Sequence, residues 1–112
     1  GLPYLLAEGS GPALLADLCG SAELVASIAA RMGYRRAVID LQAATVALSF
    51  TDHLQLGTHV AKHLSHLDRV ASIVRLDERK GTSEKAAQKM GLHLRTFTDR
   101  DEALAWIGEL AP

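Results

Sequence analysis

"RRAVIDLQAATVALSFTDHLQLG", Arg35 to Gly57, holds the reading that decides the fold. Ala37, Val38 and Ile39 run without polar alternation, as in a strand covered on both faces. The strand reads as Arg35–Leu41, and Gln42–Asp52 as the loop after it. From Phe50 the period changes. Leu54, Gly57, Val60, Ala61, Leu64 and Leu67 recur at helical spacing and predict an amphipathic helix over about 50–67. A buried strand followed by an amphipathic helix is half of a β-α-β unit.

The same alternation extends both ways. Upstream, "PYLLAEGSG" (Pro3–Gly11) reads as a short strand and a Gly-rich turn. Pro12 suits the first turn of a helix, where its missing N–H costs nothing. Leu14, Leu18, Ala22, Val25, Ala29 and Met32 form that helix's apolar stripe, and Gly33 ends it. Downstream, "RVASIVRL" (Arg69–Leu76) is a third strand and "DERKGTSE" (Asp77–Glu84) a polar loop. Thr82 or Ser83 caps a third helix carrying Ala86, Ala87 and Met90. "LHLRTF" (Leu92–Phe97) alternates like an edge strand. Asp99 and Glu102 have capping-box spacing before a last helix buried by Ala103, Trp106, Ile107 and Leu110. The order β-α-β-α-β-α-β-α predicts one α/β domain over 1–112, with four largely parallel strands flanked by helices.

Composition narrows the function. The chain has 112 residues, 48% hydrophobic and 22% charged, enough for a core without staples. A net charge of −1 and five scattered aromatics disfavour nucleic acid. No apolar run reaches the roughly 20 residues of a membrane span. One cysteine, Cys19, excludes an internal disulfide framework and reads as a small buried hydrophobe. No charged leader with a small-residue cleavage site opens the sequence, so a reducing cytoplasm is expected; Gly1 in place of Met reads as a remnant or a trimmed start.

Ligands of parallel sheets bind beyond the carboxyl ends of the strands, where helix N-termini favour anions. Four groups stand there. Ser49, Thr51, Asp52 and His53 open helix two, and Ser49 with Asp52 has capping-box spacing. Arg79, Lys80, Thr82 and Ser83 form a candidate anion-binding loop, interleaved with Asp77, Glu78 and Glu84. "EGSG" (Glu8–Gly11) is too short for GxGxxG or a P-loop and reads as a tight turn, and "TDRDE" (Thr98–Glu102) completes the edge. His59, His63 and His66 share a stripe of helix two, but no carboxylate or cysteine completes a metal set locally, so the stripe reads as polar surface and no metal is expected. No nucleophile elbow, catalytic constellation or cofactor fingerprint occurs.

"RRAVIDLQAATVALSFTDHLQLGTHVAKHL", "DRVASIVRL" and "GLHLRTFTDRDEALAWI" together resemble the SpoIIAA-like group of the STAS superfamily, from about Tyr4 onward. The "TFTDRDEALAWI" stretch is the most similar signature. The resemblance implies a bacterial regulatory or protein-interaction domain without enzymatic activity or cofactor. In anti-sigma factor antagonists of that superfamily a serine opening helix two, in an Asp-Ser-Ser/Thr-Gly motif, is phosphorylated to switch partner binding. Here the loop reads "LSFTD": the motif is absent, and Ser49 and Thr51 alone occupy the phosphoacceptor region. The group is also similar to CRAL-TRIO lipid-transfer domains, which implies a small non-polar ligand such as a lipid. Val46, Leu48, Phe50 and Leu54 are the candidate pocket residues, and a homodimer is a further expectation.

Overall fold

The structure is a computed structural model and describes residues 3–109. Its elements run β1 (Leu5–Ala13), α1 (Leu15–Met32), β2 (Arg36–Val46), α2 (Phe50–Leu64), β3 (Arg69–Ile73), α3 (Thr82–Lys89), β4 (Leu94–Phe97) and α4 (Arg100–Ile107). A short 3₁₀ turn, Leu76–Glu78, follows β3. All pairings are parallel and the strand order is β1-β2-β3-β4. Right-handed crossovers that keep stepping in one direction put their helices on one face. Accordingly, α1, α2 and α3 pack with Ala37, Val70 and Leu94, while α4 packs with Val38, Ala71, Ile73 and Phe97 on the other.

Two expected boundaries move. The "EGSG" turn is strand, and Pro12 belongs to β1 rather than to α1. β1 lies at the edge of the sheet, where a residue without an N–H breaks no ladder. β2 likewise runs on to Val46, through most of the expected loop. The register passes from Glu8↔Asp40 to Ser10↔Ala43, so β2 carries one extra residue, a bulge. Asp40 accepts the Gln42 N–H at 3.0 Å, inside that bulge. Beyond it, Ser10–Ala13 pair with Ala43–Val46, whereas β3 pairs with β2 only as far as Asp40↔Ile73. The β1–β2 ribbon thus overhangs the carboxyl edge of the sheet.

Helix ends also differ in detail. α1 is capped by Leu14, whose N–H donates to Asp17, and its expected stripe ends early, since Leu14 and Met32 are exposed. α2 stops at Leu64, and Leu54 lies outside its buried stripe of Gly57, Val60, Ala61 and Leu64. Gly81, not Thr82 or Ser83, is the residue before α3, with φ of 79°, and Met90 beyond that helix is exposed. Asp99 accepts the Asp101 N–H and makes no box with Glu102. Leu110 lies outside the described residues.

Candidate functional site

A cavity of about 130 Å³ lies between the sheet and α1, α2 and α3, toward the carboxyl ends of the strands. Short side chains leave it. Ser72 and Thr96 point from β3 and β4 into space that longer residues would fill, beside Ala22 of α1 and Ala87 of α3. Ile39, Leu41 and Val46 of β2 and Leu56 and Val60 of α2 make most of its wall apolar. Gly57 brings α2 against α3: a Cβ there would lie 2.7 Å from the Ala86 Cβ and press on the Ser83 carbonyl. The overhang of β2 forms one rim, and Glu78–Gly81 another.

Its polar groups are few and mostly satisfied. The Ser72 and Thr96 hydroxyls share a hydrogen bond of 2.9 Å, and the Thr96 N–H, on edge strand β4, donates to Glu84. Glu78 Oε1 accepts from Arg75 at 2.6 Å and from the Val46 N–H at 3.3 Å, tying the two rims together. Glu78 Oε2 is buried and has no partner among the described residues. A desolvated carboxylate oxygen in that position favours a donor supplied from outside.

His53 is also in the lining. Ser83 donates its hydroxyl proton to the His53 carbonyl at 3.0 Å, and its oxygen lies 3.0 Å from Nδ1. That oxygen therefore accepts from Nδ1–H, which fixes the ring tautomer. Burial pushes the His53 pKa below its ordinary value; Asp52 pulls it back up and Lys80 pushes it further down.

The expected site residues are divided by the fold. Ser49 accepts the Asp52 N–H at 3.1 Å and donates its own to Asp52 at 3.4 Å, a complete capping box. Ser49 and Thr51 are exposed and outside the cavity lining. Of Val46, Leu48, Phe50 and Leu54, only Val46 lines the cavity. Phe50 and Leu54 instead border an open groove between α2 and α3 with Lys80, Thr82, Lys85, Lys89 and Met90, and Leu48 lies in neither. The helical phase explains the split: α2 turns Leu56, Gly57 and Val60 inward, leaving Leu54 on another face. Arg79, Lys80 and Ser83 stand at the cavity, and Thr82 only at the groove. Sequence reading missed Ser72, Thr96 and Glu78; a strand reading as "VASIV" with one serine facing the helices was the available signal. Cys19 is half-buried, and burial, then Glu23, pushes its thiol pKa up, away from reactive thiolate.

A SpoIIAA-like family model matches residues 19–108. The chain belongs to the SpoIIAA-like family. Among solved structures it is similar to an uncharacterized protein of the DUF3478 family with a SpoIIAA-like fold from Shewanella loihica PV-4. That likeness has 26% identity and a TM-score of 0.58, over 93% of this chain and 83% of the other. No curated protein matches. The fold expectation, a STAS-like α/β sheet flanked by helices, is met, with every strand parallel. No helix among the described residues is long and apolar enough to cross a membrane.

Proposed function

We propose that this SpoIIAA-like domain is a non-catalytic binding module of the bacterial cytosol whose cavity takes one small, largely apolar molecule carrying a hydrogen-bond donor. The observation that carries the reading is the cavity of about 130 Å³, whose lining includes Glu78, a residue with a buried oxygen, Oε2, that has no partner among the described residues. A dry engineered cavity of about 150 Å³ accommodates benzene. The space therefore suits a ring or a short chain; a long-chain lipid would have to extend through the mouth. A donor-bearing ligand satisfies Glu78, whereas a pure hydrocarbon leaves it orphaned.

Titration of the protein with benzylamine and with toluene, followed by amide chemical shifts, tests this. Expected are saturable shifts at Ser72, Thr96 and Leu56, tighter for benzylamine, with the preference lost in Glu78→Leu. Absence of saturable shifts with either probe at millimolar concentration rejects a ligand cavity.

A second reading rests on a different surface. Phe50 and Met90 are 69% and 60% exposed beside Lys80, Lys85 and Lys89, the composition of a docking groove for an acidic protein segment. Phosphate on Ser49 or Thr51 would add about −1.5 to −2 charge next to that groove and repel such a partner. Phosphosite mapping after incubation with lysate and ATP tests it; an unmodified Ser49 and Thr51 rejects the switch. Sedimentation tests whether a second copy occupies the groove, through loss of any dimer in Phe50→Asp.

A further inference from the structure

Two histidines of the α2 stripe, His59 and His63, acquire a partner that sequence distance conceals. Glu23, on α1, places Oε2 3.1 Å from His59 Nε2, although the two residues are 36 positions apart. His63 follows His59 by one helical turn, and their ring centroids are 4.3 Å apart at 39°. One ligand atom from each of Glu23, His59 and His63 lies within 4.8 Å of the other two. His66 and His53 are outside the cluster.

We propose that Glu23, His59 and His63 form a site for a divalent transition metal, zinc in the first instance, across the outer seam of α1 and α2. Two imidazole nitrogens and one carboxylate oxygen are a common donor set for zinc. Metal–ligand bonds of about 2.1 Å in a tetrahedron require ligand atoms about 3.4 Å apart. The Glu23–His59 separation is already close to that edge length. Small side-chain rotations draw the His63 nitrogen inward, without movement of either helix, because the pair occupies consecutive turns of one helix. Oxygen donors of the calcium and magnesium type are too few here, so those ions are discriminated against. Glu23 is half exposed and His59 29% exposed in their side chains, which leaves the remaining coordination position open to water.

The site is independent of the cavity. Leu18, Ser21 and Ala22 of α1 face the cavity, whereas Glu23 faces solvent. Metal bound there would tie α1 to α2 and stabilise the folded state by mass action. The alternative role of the same atoms is a surface ion pair between Glu23 and protonated His59, which has no use for His63.

The test uses the untagged full chain, stripped with chelator and titrated with zinc chloride by calorimetry. Thermal unfolding and the visible spectrum of the cobalt(II) form are read alongside. Expected are one equivalent bound, a higher unfolding temperature with zinc, a tetrahedral cobalt band, and no response to magnesium. His63→Ala and His59→Gln should each weaken zinc at least about tenfold, since loss of even an outer-shell partner of a metal ligand costs about 10–100-fold. Both positions are partly exposed, so the variants should keep the circular dichroism of the parent. Absence of saturable zinc binding overturns the proposal. So does zinc affinity unchanged in His63→Ala, which would leave only the ion pair or adventitious histidines.

Discussion

On the α4 side of the sheet, Val38, Ile73 and Phe97 meet Trp106 and Ile107; on the other side, Ala22, Ala29, Ala37, Ala61 and Ala87 supply much of the core. The first face is filled by large side chains from one short helix. Trp106 lies edge-on to His93 at 5.2 Å and beside Phe97 at 5.7 Å, with Arg69 and Arg95 at 5.0 and 5.5 Å from its centre. Arg69 and Arg36 also donate to the Trp106 and Ile107 carbonyls, at 2.7 Å each, closing the C-terminal end of α4. The second face has three helices packed closely through small residues, and where Ser72 and Thr96 replace apolar groups it leaves a cavity. One face therefore supplies anchoring, and the other combines anchoring with room for a ligand.

The largest test of this contrast is Trp106→Ala. It should cost about 3–5 kcal/mol, as expected for a large aromatic removed from a closed core. Ser72→Ala, at the cavity, should cost only about 1 kcal/mol, the scale of one hydrogen bond. Urea unfolding of both variants reads the difference, and equal losses would break the comparison.

Gly57→Ala comes next. It should cost about 1–3 kcal/mol, because the new Cβ presses on α3 backbone that must shift. If the α2–α3 seam sets the shape of the cavity, the same variant also weakens benzylamine, read by amide shifts. Retained stability and retained binding together would show that the seam yields freely.

Two matched enlargements sharpen the contrast further. Ala22 lines the cavity and Ala103 is fully buried against the other face; both are helical. Ala22→Leu should change stability by no more than about 0.5 kcal/mol or raise it, as cavity filling commonly does. Ala103→Leu should lower it by about 1–3 kcal/mol through overpacking. Chemical denaturation of the pair decides between a cavity on one side only and equal slack on both.

Much of the frame was readable in the residues, and the reasons are local. The apolar run Ala37–Ile39 and the β-branched stretch Val70–Val74 suit strands covered on both sides, and the stripe from Gly57 to Leu64 suits a helix. The overhang of β1 and β2 was hidden, because Gly9, Gly11 and Pro12 signal a turn and only an edge partner makes them strand. Ser49 and Asp52 were readable as a cap, since a capping box lies within four residues. The cavity was not readable: Ser72 and Thr96 are ordinary strand residues until the sheet sets them side by side. Glu23 was unreadable for the same reason, as only helix packing brings it to His59.

The smallest effect belongs to His53, which stands at the cavity. Its Nδ1–H is held by Ser83, and burial lowers its pKa from the ordinary 6.5. As pH falls, the unfolded chain takes up this proton first, near the ordinary value. The folded state then loses stability relative to the unfolded one. The loss ends once the pH passes below the lowered folded pKa, where both states carry the proton. His53 thus adds stability above pH 6.5 that is lost in the interval beneath it. His53→Gln removes this contribution, so its stability should vary less with pH across that interval than the parent's. Proton NMR of the His53 ring should give a midpoint below 6.5 in the parent, lowered further when benzylamine adds a second cation at the cavity. A midpoint at or above 6.5 would mean that the ring is solvated and that the cavity's edge is wetter than its wall.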